Sequence, residues 1–239
     1  MESKRKFSGI SGSTLKIIAI VSMFVDHIGA AVLEKGLLVS SQVQNNPVLY
    51  DRLHSIDHVL RLIGRPAFPI FCFLLVEGFL HTKDTKKYAL RLFLFALISE
   101  IPFDLAILGN IMDFRVQNVF FTLLIGLLVM MGASYFSKNV WLQSLIFVLG
   151  IGAGYFLHTD YGFKGVLLIE LLYFFRYDRK SQCIAGACAF SWEATAPLAF
   201  LPILAYNGKR GLSLKYFFYL FYPVHLLILA GIARYCMTL

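Results

Sequence analysis

Charge is what this 239-residue chain has least of: Asp, Glu, Lys and Arg make up 15% of it, where a soluble domain carries about 25%. Hydrophobic residues make up 58%. Such a chain cannot cover a water-facing surface, which excludes an ordinary cytosolic enzyme, and its hydrophobicity excludes intrinsic disorder. Cysteine is scarce as well. Cys72, Cys183, Cys188 and Cys236 all lie in apolar runs without metal-ligand spacing. That excludes a disulfide-rich secreted module and leaves them as core or lipid-facing thiols, with no metal expected. There is no Gly-x-Ser-x-Gly elbow and no His-Glu-x-x-His pair, so nothing points to an intramembrane hydrolase.

The net charge is +8, but no basic face accompanies it, and a nucleic-acid partner is not expected. Lys and Arg cluster at 4–6, 83–87, 176–180 and 209–215, between apolar runs. This is how a membrane protein marks its cytoplasmic loops.

What the chain has in quantity is long apolar runs, at about 14–33, 59–80, 88–108, 117–136, 140–157, 163–175, 181–206 and 215–236. A membrane-spanning helix needs about 20 such residues. The expected fold is therefore all-α: a polytopic integral membrane helix bundle of about 8–9 transmembrane segments in a lipid bilayer. Residues 1–13 form a basic N-terminal segment and residues 14–239 a single transmembrane domain. Lys4, Arg5 and Lys6 before an apolar run resemble a signal peptide, but the run is long enough to span and reads as a retained first helix. Trp192 to Pro197 interrupts the 181–206 run. A broken or re-entrant segment there keeps the 209–215 cluster on the side of the other clusters and the N-terminus, which is the cytoplasmic side; Lys35, Arg52, Arg115, Lys164 and Arg234 are left outside. Residues 34–58 are the longest polar segment and carry His54, Asp57 and His58; an outer loop with room for a short interfacial helix is expected.

Ionisable residues at span depth are costly and mark interior sites. Lys16 and His27 are eleven residues apart, three helical turns, so they share a face over a rise of about 16–17 Å. A long ligand with an anionic head and a reactive far end fits that face, and coenzyme A thioesters have this shape. Asp26 is placed to orient His27 or raise its basicity. The alternative is a snorkelling Lys16 with a structural Asp–His pair. Arg61 and Arg65 share a face at i,i+4, ahead of Pro66 and Pro69, which loosen the helix start. Arg65 suits a buried carboxylate or an anionic group, and Glu77 lies one turn before His81; structural ion pairs suit both as well. Glu100 and Asp104 also share a face, with Pro102 between them. Two like charges so close need a cation, a metal or a proton; Arg61, Arg65 and Arg115 are the candidate cations, and no third metal ligand is evident. Asn118 opens the fourth run. Tyr222 and His225 lie one turn apart around Pro223, which frees a backbone carbonyl.

Together these motifs resemble the TraX family. The residues that carry the resemblance are Lys16-x10-His27, Asp26-His27-Ile28-Gly29, Gly64-Arg65-Pro66-Ala67-Phe68-Pro69, Glu77-Gly78-Phe79, Ser99-Glu100-Ile101-Pro102-Phe103-Asp104, Asn118-Val119-Phe120-Phe121, Tyr161-Gly162-x2-Gly165 and Phe221-Tyr222-Pro223-x-His225. They run in order from about residue 14 to the C-terminus. The family's founding activity is acetylation of the N-terminus of conjugative pilin by acetyl-CoA. The family is also similar to the membrane acyltransferases of family 3, whose first helix carries an Arg/Lys-x10-His motif.

The resemblance implies an acyltransferase-like domain in a bacterial inner (plasma) membrane, N-terminus cytoplasmic. Acetyl-CoA would be the donor, with Lys16 at its phosphates, helped by Lys83, Lys86 or Arg91. His27 would be the general base, or the residue acetylated in transit, with Asp26 supporting its imidazolium. Arg61, Arg65, Glu77, Glu100, Asp104, Asn118, Tyr222 and His225 are the substrate or oxyanion candidates. The acceptor would come from the outer face, as a pilin-like N-terminal amine or an envelope glycan hydroxyl. The competing expectation is a small transporter or a non-catalytic membrane subunit with a buried polar path.

Overall fold

A computed structural model describes residues 9–212 and 215–238. It is helical throughout, with only isolated β-bridges among the described residues. Lys4, Arg5 and Lys6 lie outside the described residues. The helices are α1 (Gly12–His27), α2 (Ser41–Gln44), α3 (Pro47–Gly64), α4 (Ala67–His81), α5 (Thr85–Phe103), α6 (Val119–Tyr135), α7 (Val140–Phe156), α8 (Gly162–Phe174), α9 (Arg179–Ala189), α10 (Phe200–Leu204) and α11 (Lys215–Met237). A π-helical turn extends α1 through Ile28–Leu33, and a second extends α5 through Asp104–Leu108.

Most long helices start on a residue whose side chain accepts from a backbone N–H of the first turn. These caps are Ser11, Asn46, Asp84, Asn118, Asn139 and Asp178. In each case a short polar side chain satisfies donors that the helix itself cannot. Three stretches are long and apolar enough to cross a membrane: Gly12–Val39, Pro47–His81 and Phe217–Met237. Two of the other apolar helices, Val119–Tyr135 and Val140–Phe156, have 17 residues each, about 25 Å at 1.5 Å per residue. Three stretches thus meet the length and composition of a span, against the eight or nine expected.

The segment 34–58 departs from the sequence expectation. Its first part holds a 3-10 turn at Leu37–Val39 and the short α2, as room for a short helix allowed, but α3 begins at Pro47 and runs 18 residues. Its polar face hides it from a search for apolar runs. Asn46 caps it, and Pro47 at its first position needs no donor. The 59–80 run is likewise divided between two helices at Arg65-Pro66, where both residues stay right-handed, so that Pro47–His81 remains one stretch of spanning length.

Helix α4 is the centre of the bundle, with Phe68, Ile70, Phe73, Leu75 and Val76 all buried. It packs against α1, α6 and α8. The outer faces of α5 and α7 are apolar yet exposed, including Leu94, Leu97, Ile98, Val148 and Leu149. In a membrane these face lipid.

The 181–206 run is broken, as expected. Helix α9 ends at Ala189, the chain turns through 190–195, and a 3-10 turn at Ala196–Ala199 leads into α10. The break is pinned where the Thr195 hydroxyl donates to the Leu62 carbonyl of α3. The segment therefore leaves and returns to one end of the bundle. Gly12 N–H donates to Lys209 O (2.8 Å) and Ser13 N–H to Arg210 O (2.9 Å), so the 205–211 loop sits on the start of α1. Gly208 and Gly211, with φ of +76° and +71°, take the left-handed turns that loop needs. The Lys83, Arg179 and Arg210 clusters share this end, called here the basic end.

Candidate functional site

Two cavities approach a histidine pair: His27 lines one, and Tyr222, which packs against both histidine rings, lines the other. The larger, of about 590 Å³, is at the basic end. This is an ordinary size for a small-molecule site. Of the expected donor-binding residues, Lys16, Lys83 and Arg91 line it and Lys86 does not; Arg210 joins them. Lys16 Nζ lies 5.2 Å from the Phe218 ring, and the Arg91 guanidinium 5.6 Å from the Tyr88 ring. These are cation–π contacts that hold a charge beside apolar surface. Farther in, the walls are Phe71, Leu74, Phe120 and Leu123, and Met23 and Tyr222 belong to the same lining. Met23 is one turn before His27 on α1.

The smaller cavity, about 270 Å³, is a polar chamber lined by Asp26, His27, Arg61, Arg65, Asp160, Tyr161, Trp192 and Glu193. Five parts of the chain build it: α1, α3 with its following turn, the α5 end, the α7–α8 turn and the 190–195 break. Arg61 pairs with Asp26 and reaches Glu34 at 3.4 Å. Arg65 pairs with Glu193 at 3.6 Å. Asp26 Oδ1 and Glu193 Oε2 are buried with no hydrogen-bond partner. With Asp160 the lining holds three carboxylates against two guanidiniums.

His27 lines the chamber, and its Nδ1 is 2.7 Å from His225 Nε2 on α11. His225 Nδ1 is in turn 2.7 Å from the Phe221 carbonyl oxygen. The Tyr222 ring lies 5.9 Å from the His27 ring. His225 and Tyr222 are 4% and 3% exposed. The contact expected between Asp26 and His27 is absent: one Asp26 oxygen is taken by Arg61 and the other has no partner. Consecutive helical residues point about 100° apart, so Asp26 meets α3 while His27 meets α11.

Four other expected residues stand away from the chamber. Glu77 accepts from Arg179 (3.2 Å), tying α4 to the start of α9 at the rim of the larger cavity. Glu100 accepts from the Asn118 side chain and from its backbone N–H (3.3 Å). Asp104 accepts from the Asp113 backbone N–H at 2.8 Å. So the Glu100–Asp104 pair is served by amides and not by the expected arginine: Arg61 and Arg65 are engaged in the chamber, and Arg115 pairs with Asp113. Glu100, Asp104 and Asn118 line neither cavity. In contrast Asp160, Tyr161, Trp192 and Glu193 were not among the expected site residues. Their signal was present, as polar interruptions between apolar runs.

A family model described as TraX protein matches residues 11–233. The chain belongs to the TraX family. Among curated proteins it is similar to a probable fimbrial assembly protein FimC, serogroup H1, of Dichelobacter nodosus, at 32% identity over 92% of this chain and 95% of the relative. No solved structure matches. Lys16 and Tyr222 line the larger cavity, His27 lines the chamber, and His225 contacts His27.

Proposed function

We propose that this TraX-family chain is a membrane acetyltransferase that moves acetyl from acetyl-CoA, bound at the basic end, to an amine held in the polar chamber. The observation that carries this is the convergence of Lys16, Lys83 and Arg91 on one cavity that reaches Tyr222, next to His27. Phosphates suit the cationic mouth, and the pantetheine arm suits the apolar walls beyond it. An amine suits the chamber better than a glycan hydroxyl, because an ammonium complements three carboxylates facing two guanidiniums. The fimbrial name of the relative points the same way, to a pilin-type terminus. The basic end then faces the cytoplasm of a bacterial inner membrane, by the positive-inside rule.

In the proposed reaction the bound ammonium first gives one proton to a chamber carboxylate such as Asp26, the neutral nitrogen attacks the thioester carbonyl carbon, and His27 takes the second proton that the nitrogen then sheds. The C–S bond then breaks, and His27 returns that proton to the departing sulfur. The oxyanion needs donors in between. Tyr222, whose ring lies 5.9 Å from that of His27 and whose hydroxyl can donate, is the candidate.

Purified protein in detergent should bind acetyl-CoA and transfer labelled acetyl to a peptide amine. His27→Ala should abolish transfer and keep binding, while Lys16→Ala should weaken binding roughly ten- to hundredfold, as loss of a charge-assisted phosphate contact does. Binding without turnover in the unaltered protein, or indifference to both substitutions, would favour a transporter or non-catalytic subunit instead.

A further inference from the structure

We propose that His225 is a positioning residue that fixes which nitrogen of His27 carries the proton, and so makes Nε2 the basic atom. This rests on the acetyl-transfer reading for its catalytic consequence, but the tautomer itself is a property of the protein alone.

The proton positions follow from the acceptor at the end of the chain. His225 Nδ1 is 2.7 Å from the Phe221 carbonyl oxygen. A carbonyl only accepts, so Nδ1 of His225 carries a hydrogen. In a neutral imidazole the other nitrogen then has a lone pair. That nitrogen, Nε2, faces His27 Nδ1 at 2.7 Å. His27 must therefore donate from Nδ1, and its own lone pair is left on Nε2. Among the described residues nothing hydrogen-bonds to that Nε2.

The ring geometry supports the assignment. The two imidazoles have centroids 5.0 Å apart and planes within 10°. With the nitrogens only 2.7 Å apart, the rings meet edge to edge in a common plane. An N–H then points along the partner's lone pair. His225 is itself held on three sides. The Phe221 ring lies 4.7 Å away at 18°, Phe24 meets it edge-on at 6.0 Å, and Tyr222 packs at 5.8 Å. The competing arrangement puts two protons on His225 and sends one to His27 Nδ1. Among the described residues no carboxylate hydrogen-bonds to either ring, so nothing in the pair calls for that positive charge.

The consequence is mechanistic. A free imidazole leaves its proton on either nitrogen. Here the Nδ1–H is committed inside the pair, so Nε2 is always unprotonated in the neutral state and available as base. When Nε2 takes the acceptor's proton, the new charge is shared through the Nδ1–H bond to His225. An oriented partner on the far nitrogen of a catalytic histidine is a recurrent device, usually built with a carboxylate. The Asp26 carboxylate next in sequence does not fill that place; a second histidine does.

The experiment is nitrogen-15 NMR of histidine-labelled full-length protein in detergent, with His27→Gln used to assign the signals. The expected result is His27 as the Nδ1–H tautomer in the unaltered protein. His225→Ala should release it toward the Nε2–H form. His225→Gln, whose amide oxygen can accept, should hold Nδ1–H. In acetyl transfer, His225→Ala should lower kcat by less than the roughly 10²–10⁴ that loss of the base itself costs, with KM for acetyl-CoA unchanged and partial recovery in His225→Gln. An Nε2–H tautomer for His27 in the unaltered protein overturns the proposal, as does a His225→Ala spectrum that leaves His27 unmoved. Retained acetyl-CoA binding in His225→Ala excludes simple misfolding. If the tautomer is as expected but the unaltered protein transfers no acetyl, the proton assignment stands and the acetyltransferase function fails.

Discussion

Asp26 and His27 are adjacent in sequence and serve opposite sides of α1. Their adjacency suggested a catalytic pair; helical geometry separates them. What a sequence carries well at this scale is the spacing that keeps residues on one face, as with Lys16 and His27. What it hides is the partner across the bundle, since His225 lies 198 residues from His27. Asp26 illustrates the other side of α1. A Cβ at Gly64 on α3 would collide with the Asp26 side chain, so α3 approaches α1 here only because position 64 has none. Gly64→Ala should force the two helices apart and destabilise the protein by about 1–3 kcal/mol, the usual cost of overpacking. Gly152→Ala on α7 is the control. Nothing lies within 4 Å of its added Cβ, and it should be neutral or stabilise by about 0.5–1 kcal/mol through helix propensity. Thermal unfolding in detergent reads both. A Gly64→Ala protein as stable as the parent would mean that α3 is free to move.

The legible elements were those that obey the apolar-run rule. Helices α6 and α7 start and stop within a few residues of their runs because an asparagine caps each and a turn follows. Helix α3 was missed because its polar residues, among them Asp51, Arg52, His54 and His58, read as loop. The π-helical turns after His27 and Phe103 leave no mark in composition, yet each widens a helix at the edge of the chamber, where Ala30 and Ile107 line it. The segment after the second π turn has its own device. Arg115 pairs with Asp113 through Nε (2.9 Å) and Nη2 (2.5 Å), and the Asp113 backbone N–H donates to Asp104. The hydrogen bonds from the Arg115 side chain and backbone hold the Asp113 carboxyl well below the usual carboxylate range. Its folded pKa is thus lower than its unfolded one, about 3.9. The linked stability is complete above that unfolded value and is lost as pH falls through the folded one. Amide exchange over residues 110–117, corrected for intrinsic rates, should show constant protection from pH 7 to about pH 4 and decline below it. Asp113→Asn should lower protection across the whole range. A decline already under way at pH 5.5 would assign the loop's order to another group.

At the scale of the whole molecule, reading the 181–206 segment as broken groups the Lys83, Arg179 and Arg210 clusters on one side, and in the fold α9 and α10 leave and return to the end where these three residues lie. The separation of the two linings could not be foreseen, because Tyr222 of α11 borders one cavity and His27 of α1 the other. That separation makes a prediction about sidedness. If the bundle crosses a membrane as its three spanning stretches allow, Lys83 at the larger cavity and Asn110 near the chamber end face different compartments. Cys188 is exposed and Cys236 partly so, whereas Cys72 and Cys183 are buried. Replacing Cys188 and Cys236 by serine therefore leaves a quiet background. In intact cells an impermeant maleimide should then label Asn110→Cys and not Lys83→Cys, and cell lysis should expose the second. Acetyl-CoA added to open membranes should slow labelling of Lys83→Cys alone, because only that position borders the proposed donor cavity. Labelling of both positions from outside would place the two cavities on one side of the membrane, and transfer across the bilayer could not be the task of this fold.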